Sequence, residues 1–333
     1  MIIKSISLTN FRNHGTYHLE CKPDTTLILG ENGCGKTSVL EAIYILTRGK
    51  SFRATDQDIV KRGSSFYRIE LEYDNGEVIT ATYDGNIKTF KTPDKSSRRL
   101  IAKNKYPIVL FLPSDLNLIS GPPSRRRDYF DRIFSDFNND YSTVLNKYNK
   151  ALRQRNELLK TENLDKSTLF PWDLLLADFG SELIKYRTNY IAEINQTLNQ
   201  TYHSIAENND QINLLYTTTI PNINKNQFIK YLDQNYEKDR IMGYTTFGAQ
   251  RDTIEFIFNQ KLADGSASRG ETRSIILALK FVEANTIIKK LGKKPIILLD
   301  DVFSELDEVR RKCLVDNFKN HQVIITSVED IKY

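Results

Sequence analysis

The chain has 333 residues, 40% of them hydrophobic and 27% charged, which suits a folded protein of about two domains with a sizeable core and excludes a disordered one. No apolar run approaches the ~20 residues that span a bilayer, and the N-terminus MIIKSISLTNF lacks a signal peptide's apolar stretch and cleavage site. Three widely spaced cysteines (Cys21, Cys34 and Cys313) exclude a disulfide framework and a cysteine zinc site, and fit a reducing cytoplasm. The net charge of +5 gives a weak lean toward an anionic partner. Residues 105–245 balance 17 basic against 17 acidic groups, so the excess lies in the flanks. Its densest local cluster is Arg48, Lys50, Arg53, Lys61 and Arg62, interrupted by Asp56 and Asp58.

The first hundred residues read as short strands. Ile2 to Leu8 alternates apolar and polar positions, and Thr25 to Leu29 is a short apolar strand ending at Gly30. Val39, Leu40, Ile43 and Leu46 then predict a helix over Lys36 to Leu46. Tyr67 to Tyr73, Val78 to Tyr83 and Ile87 to Phe90, separated by Asn-Gly and Asp-Gly turns, predict an antiparallel group. From Arg125 to about Ala206 the chain turns helical, with Phe179, Leu183, Tyr186, Tyr190, Ile194 and Leu198 as one apolar stripe. Glu207 to Asn226 reads as loop plus a strand over Ile212 to Thr217. The end alternates again: strand Thr253–Phe258, helix Gly270–Lys290, buried strand Pro295–Leu299, helix Asp307–Asn317 and strand Gln322–Thr326. That order predicts a parallel sheet covered on both faces.

GENGCGKT, from Gly30 through Glu31, Asn32, Gly33, Cys34, Gly35 and Lys36 to Thr37, matches the P-loop pattern GxxxxGK[ST] between a predicted strand and a predicted helix. Such glycines let the backbone fold round phosphate, with successive N–H groups pointing inward at the helix's positive end. Lys36 is placed to reach the β and γ phosphates, and the Thr37 hydroxyl to hold Mg²⁺. PIILLDD ends a buried strand with two acids: Asp300 sits where a metal-linked carboxylate belongs, and Asp301 is free to polarise an attacking water. Ser268-Arg269-Gly270-Glu271 opens the next helix upstream, an exposed serine at an anion-favouring helix start, and Ser304-Glu305-Leu306-Asp307 closely follows Asp301. In that order these motifs resemble those of ATP-binding-cassette ATPases, in which two subunits sandwich two ATP molecules.

LTNFRN (Leu8 to Asn13), GENGCGKTSVLEAI, RGKSFR (Arg48 to Arg53), LPSDLNLISGPPSRRRDYFD (Leu112 to Asp131), RQRN (Arg153 to Asn156), SRGETR and LLDDVFSELD together resemble the RecF family, SMC-like ATPases of bacterial recombinational DNA repair. The resemblance implies an α/β fold. A P-loop ATPase head of the ABC/SMC type, with a parallel sheet plus an antiparallel subdomain, would span 1–104 and 246–333, and an inserted helical arm 105–245. It implies ATP and Mg²⁺ as cofactors and a slow, DNA-stimulated ATPase acting in the cytoplasm at the nucleoid, with no membrane. Its implied partners are double- and single-stranded DNA at gap junctions, a second copy bound through ATP, and RecR with RecO; its implied role is recombinase loading and support of SOS induction. Arg12 and Ser38 join the P-loop residues at the nucleotide. The resemblance also implies that Ser268, Arg269, Gly270, Glu271 and Asp307 contact the partner's nucleotide in trans, and that Lys50, Arg53, Lys61 and Arg62 face DNA.

Some positions depart from the family pattern. GPHRD is replaced by Gly248-Ala249-Gln250-Arg251-Asp252, no glutamine loop accompanies PIVLFLP, Thr326-Ser327 stands where many cassette ATPases have histidine, and Tyr333 ends the chain early. Two other readings share the P-loop: the nucleotide-binding subunit of a membrane transporter, and a clamp that binds ATP without turnover.

Overall fold

The computed structural model describes residues 1–220 and 224–329. The chain runs β1 (Ile3–Phe11), β2 (His14–Glu20), β3 (Thr25–Leu29), α1 (Lys36–Arg48), α2 (Asp56–Ile59), β4 (Tyr67–Tyr73), β5 (Val78–Tyr83), β6 (Lys88–Lys91), β7 (Ser96–Ser97) and β8 (Ile108–Phe111). Then follow α3 (Asn117–Ser120), α4 (Pro123–Phe137), α5 (Asn139–Leu159), α6 (Phe170–Ala206), β9 (Ile212–Thr217), α7 (Lys225–Gln234) and α8 (Tyr236–Met242). Last come β10 (Thr253–Phe258), β11 (Lys261–Leu262), α9 (Arg269–Leu291), β12 (Ile296–Asp300), α10 (Glu308–Phe318) and β13 (Val323–Ser327). They form two compact units, one of Met1–Asp115 with the chain from Glu283 onward, the other Leu116–Val282.

In the first unit, period-two alternation builds a six-stranded antiparallel sheet ordered β2-β1-β4-β5-β6-β7. Its inner face carries Ile6, Leu8 and Phe11 from β1 and Tyr67, Ile69, Leu71 and Tyr73 from β4. The apolar runs of β3, β13, β12 and β8 form a four-stranded parallel sheet in that order. Helix α1 packs against strands of both sheets, which is why Val39 through Leu46 is buried almost all round. One core therefore joins the two sheets through the helix that carries the P-loop at its N-terminus.

The second unit is mainly helical. Helices α5 and α6 pack together, α4 and α7 add to them, and a three-stranded antiparallel sheet, β11-β10-β9, lies against α4 and α6. Two buried arginines cross-link it: Arg155 pairs with Asp239 at 2.7 Å and Asp173 at 2.6 Å, and Arg187 with Asp131 at 2.8 Å and Asp252 at 3.3 Å. Gln250, in place of the family's histidine, accepts from Tyr148 and donates to the carbonyls of Thr245 and Phe247, so its side chain is fully engaged locally.

Three sequence expectations are corrected here. Thr253–Phe258 does not join the parallel sheet: alternate residues of β10 are buried, as suits a half-covered strand, and it pairs antiparallel with β9. The units also divide the chain at other points than 1–104, 105–245 and 246–333. Strand β8 completes the parallel sheet and so belongs to the first unit, whereas 246–282 packs with the helices. In α6 the buried stripe contains Gly180 and Arg187, while Phe179, Tyr186 and Tyr190 are only half-buried beside it. Part of the expected loop over Glu207 to Asn226, residues 221–223, and the end of the expected head, 330–333, lie outside the described residues. No helix among the described residues is long and apolar enough to cross a membrane.

Candidate nucleotide site

The loop after β3 turns back on itself at glycines. Gly35 has φ +105, and a Cβ there would come within 2.4 Å of His14 Nε2 and 2.5 Å of Asn13 Oδ1, so this position requires glycine. Those two side chains, Asn13 from the β1–β2 turn and His14 from the start of β2, clasp the loop: Asn13 Nδ2 donates to Gly33 O at 3.0 Å, and His14 Nε2 lies 3.1 Å from Gly35 O. Because a carbonyl only accepts, His14 carries its proton on Nε2 in this contact. Helix α1 starts at Lys36 without a side-chain cap; the Ser38 N–H bonds the Gly35 carbonyl at 2.9 Å, and the N–H groups at the very start of the helix stand where an anion is favoured. Lys36 is buried, and its ammonium donates to the carbonyls of Gly30 and, at 2.9 Å, Glu31. Glu31, Asn32 and Cys34 are exposed along the loop.

The two acids at the end of β12, Asp300 within the strand and Asp301 just after it, are held differently. Thr37 Oγ1 donates to the Asp300 carboxylate, 2.7 Å from Oδ1 and 2.9 Å from Oδ2, and Thr326 Oγ1 adds a bond of 2.9 Å to Oδ1. Asp301 turns out of the strand in the left-handed region (φ +50), its N–H bound to the Thr326 carbonyl at 3.2 Å and to its hydroxyl at 2.9 Å. Burial raises the Asp301 carboxyl above the usual aspartate range; Lys36 opposes this, and Asp300 and Glu305 add to it. A hydroxyl and a carboxylate are hard oxygen donors of the kind Mg²⁺ takes together with waters and substrate phosphates. Thr37 and Asp300 therefore fit Mg²⁺, which would neutralise phosphate charge there.

These groups line one open cleft of about 710 Å³. Its walls take Arg12, Asn32, Gly33, Gly35 and Lys36 to Ser38 from the N-terminal half, and Asp300 and Asp301 from the C-terminal strand. Arg53, Lys61 and Arg62 line the same cleft, although the sequence groups them with Lys50. Lys50 is exposed beyond the end of α1, where its charge and that of Arg48, after burial, lower the pKa of Lys105.

Ser268 is exposed in the second unit and caps α9 reciprocally with Glu271, through bonds of 2.6 Å and 3.3 Å. Arg269 and Gly270 form the first turn of that helix. Asp307 caps α10, accepting from the Arg310 N–H at 3.0 Å.

Sequence reasoning gave no role in this site to Asn13, His14, Ser51 or Glu41, and noted Thr326 only as part of the Thr326-Ser327 departure. Only Glu41 leaves a signal, as the one acid inside the apolar run VLEAIYIL. It accepts hydrogen bonds from Arg12, Arg53 and Ser51.

A family model for the AAA ATPase domain matches residues 1–330. The DNA replication and repair protein RecF of Clostridium perfringens is 32% identical over 341 residues, 99% of this chain and 94% of the relative. RecF of Clostridioides difficile is 34% identical over 346 residues, 99% and 92% respectively. A solved structure of the recombination mediator protein RecF with ATP, of the RecFOR pathway, superposes with a TM-score of 0.90 at 28% identity, covering 100% of this chain and 93% of that one.

Proposed function

The chain belongs to the RecF family of ATPases, and on that premise we propose that it is an ATP-dependent DNA-binding protein of replication and recombinational repair. ATP joins two copies on DNA, slow DNA-stimulated hydrolysis releases them, and the pair helps load recombinase at single-stranded gaps and junctions, in concert with RecR and RecO and in support of SOS induction. It works in the cytoplasm at the nucleoid. The observation that carries this reading is the 2.7 Å contact of Thr37 with Asp300, which joins the first turn of α1 to the end of β12 inside a cationic cleft.

In that cleft the triphosphate meets the N–H groups of Gly33 to Thr37 and the Lys36 ammonium, which exchanges its loop carbonyls for the β and γ phosphates. Thr37 and Asp300 are the residues that would hold Mg²⁺. Asp301 orients water toward the γ-phosphate and takes its proton, a task that a raised pKa favours. The Ser268–Gly270 helix start and Asp307 of a second copy close the site from the other side. Lys50, Arg53, Lys61 and Arg62 supply cations for phosphates of the duplex.

Sedimentation with and without MgATP and DNA tests the reading. The expected result is a monomer that doubles in mass with MgATP and stays on DNA, with retention falling steeply as salt rises. Retention of no DNA at low salt would favour a transporter's nucleotide-binding subunit. A DNA-bound dimer that releases no phosphate would make the protein a clamp without turnover.

A further inference from the structure

Glu41 is an exception in α1. Its neighbours in that helix are apolar, yet its side chain is fully buried and ionic. Oε1 accepts from Arg12 Nη2 at 2.8 Å and from Ser51 Oγ at 2.6 Å. Oε2 accepts from Arg12 Nε at 2.9 Å and from Arg53 Nε and Nη2 at 3.1 and 3.0 Å. Burial alone would raise this carboxyl's pKa, but the bonds from Arg12, Arg53 and Ser51 outweigh burial and hold it below the usual range. The group is therefore an anion, with all the hydrogen bonds its two oxygens can accept.

An isolated carboxylate buried in a core is costly, and hydrophobic residues of similar volume often serve stability as well as a buried ion pair does. What this arrangement adds is geometry. Two guanidinium groups share one anion, so a positive charge is left over, and both arginines line the cleft that holds Lys36 and Thr37. Arg12 is fixed by a two-toothed bond to Glu41 and a third bond from Nη1 to the Asp58 carbonyl at 3.0 Å. Arg53 is held through Nε and Nη2 and remains 38% exposed on the cleft side. Ser51 Oγ also accepts from the N–H groups of Arg53 and Ala54, at 3.0 and 3.1 Å, so the turn carrying Arg53 is tied to the same carboxylate.

We infer that Glu41 is a positioning residue of the nucleotide site, holding Arg12 and Arg53 so that both guanidinium groups meet the phosphates of ATP. The inference rests on the reading of the cleft as an ATP site. It moves Arg53 from the duplex to the nucleotide, leaving Lys50, Lys61 and Arg62 for DNA, and it makes the P-loop helix the support for the turn from Ser51 to Ala54. A long planar fork on a flexible stem loses less freedom on binding when a fixed partner already holds it.

The test measures equilibrium binding of a fluorescent ATP analogue and steady-state hydrolysis in the full chain, for wild type, Lys36→Met, Glu41→Gln, Glu41→Asp and Arg53→Gln. Glu41→Gln keeps the volume and removes the charge. It should raise the dissociation constant and KM about tenfold, the size of a lost charge-assisted bond, with kcat much less affected. Glu41→Asp should recover most of that loss, and Arg53→Gln should reproduce part of it with Glu41 still paired to Arg12. A purely structural ion pair predicts something else: lower thermal stability and less active protein, with KM unchanged. That outcome overturns the inference, as does an Arg53→Gln variant with wild-type affinity should Glu41→Gln fail to fold. If wild type and Lys36→Met bind the analogue equally, the ATP reading of the cleft itself fails; unchanged binding in Glu41→Gln and Arg53→Gln alone refutes only the role of Glu41.

Discussion

At the residue scale, the P-loop offers a chemical handle in Cys34, which is exposed within the loop. Cys21 and Cys313 are only half-exposed, and burial pushes the Cys21 thiol up to about 11, where little thiolate forms at neutral pH. A timed maleimide pulse should therefore modify Cys34 first and block ATP binding, and MgATP should protect it, as peptide mass mapping can follow. Equal labelling of Cys34 in saturating ATP would mean that the nucleotide does not cover this loop. Asp301 gives a second expectation. Its folded-state pKa is raised, so its ionised form is disfavoured by folding, and above that pKa the carboxylate subtracts from stability. Asparagine tolerates the left-handed backbone found there. Asp301→Asn should thus melt no lower than wild type near neutral pH while losing hydrolysis, and calorimetry with a phosphate-release assay checks both. Hydrolysis at the wild-type rate would remove Asp301 from the water-orienting role. Lys36 and Thr37 could be placed in the cleft from sequence because the P-loop is a local pattern. Thr326 was not legible as a link between the two aspartates, because its contacts lie 25 and 26 positions away.

At the element scale, strands were the most legible feature: Thr25–Leu29, Tyr67–Tyr73, Val78–Tyr83 and Ile212–Thr217 fall where the alternation and turn signals put them. Helix α6 shows where that legibility ends. Apolar spacing identified the helix and put Leu183, Ile194 and Leu198 in its buried face, but it took half-buried Phe179, Tyr186 and Tyr190 in place of Gly180 and Arg187, which sit in the buried face for reasons of tertiary contact. Gly180 is there because the Phe228 ring of α7 lies against it: a Cβ would come within 2.4 Å of Phe228 Cε2 and 3.0 Å of Tyr148 Cε2. Gly180→Ala gains helix propensity of about 1 kcal/mol. The methyl must displace two rings that are themselves fully buried, and overpacking of this kind costs roughly 1–3 kcal/mol. The two nearly cancel at the low end, so the variant should be destabilised by roughly 0–2 kcal/mol, seen as a lower urea midpoint at unchanged slope. A midpoint raised by the equivalent of about 1 kcal/mol would show that Phe228 and Tyr148 yield without cost.

At the scale of the whole molecule, the cleft and the serine motif belong to different compact units, and the serine motif is exposed at the start of a 23-residue helix. Sequence order alone suggested the composite site, because the motif order is that of an ATPase that works in pairs; the exchange of sites between copies is not a property a single chain's pattern can carry. The decisive variant is Ser268→Arg. Serine caps α9 through its bond with the Glu271 N–H, and losing such a cap costs about 1 kcal/mol. Arginine adds bulk and a positive charge at the positive end of the helix, where an approaching phosphate would otherwise be favoured. Ser268→Ala separates the two effects, since it removes the cap without filling the anion site. If Ser268 serves the nucleotide of a second copy, Ser268→Arg should bind ATP as the wild-type monomer does yet fail to double in mass by light scattering, while Ser268→Ala should still dimerise at slightly lower stability. Equal ATP-driven dimerisation of wild type and Ser268→Arg would confine each nucleotide to one copy's own P-loop, and the serine would then be a helix cap alone.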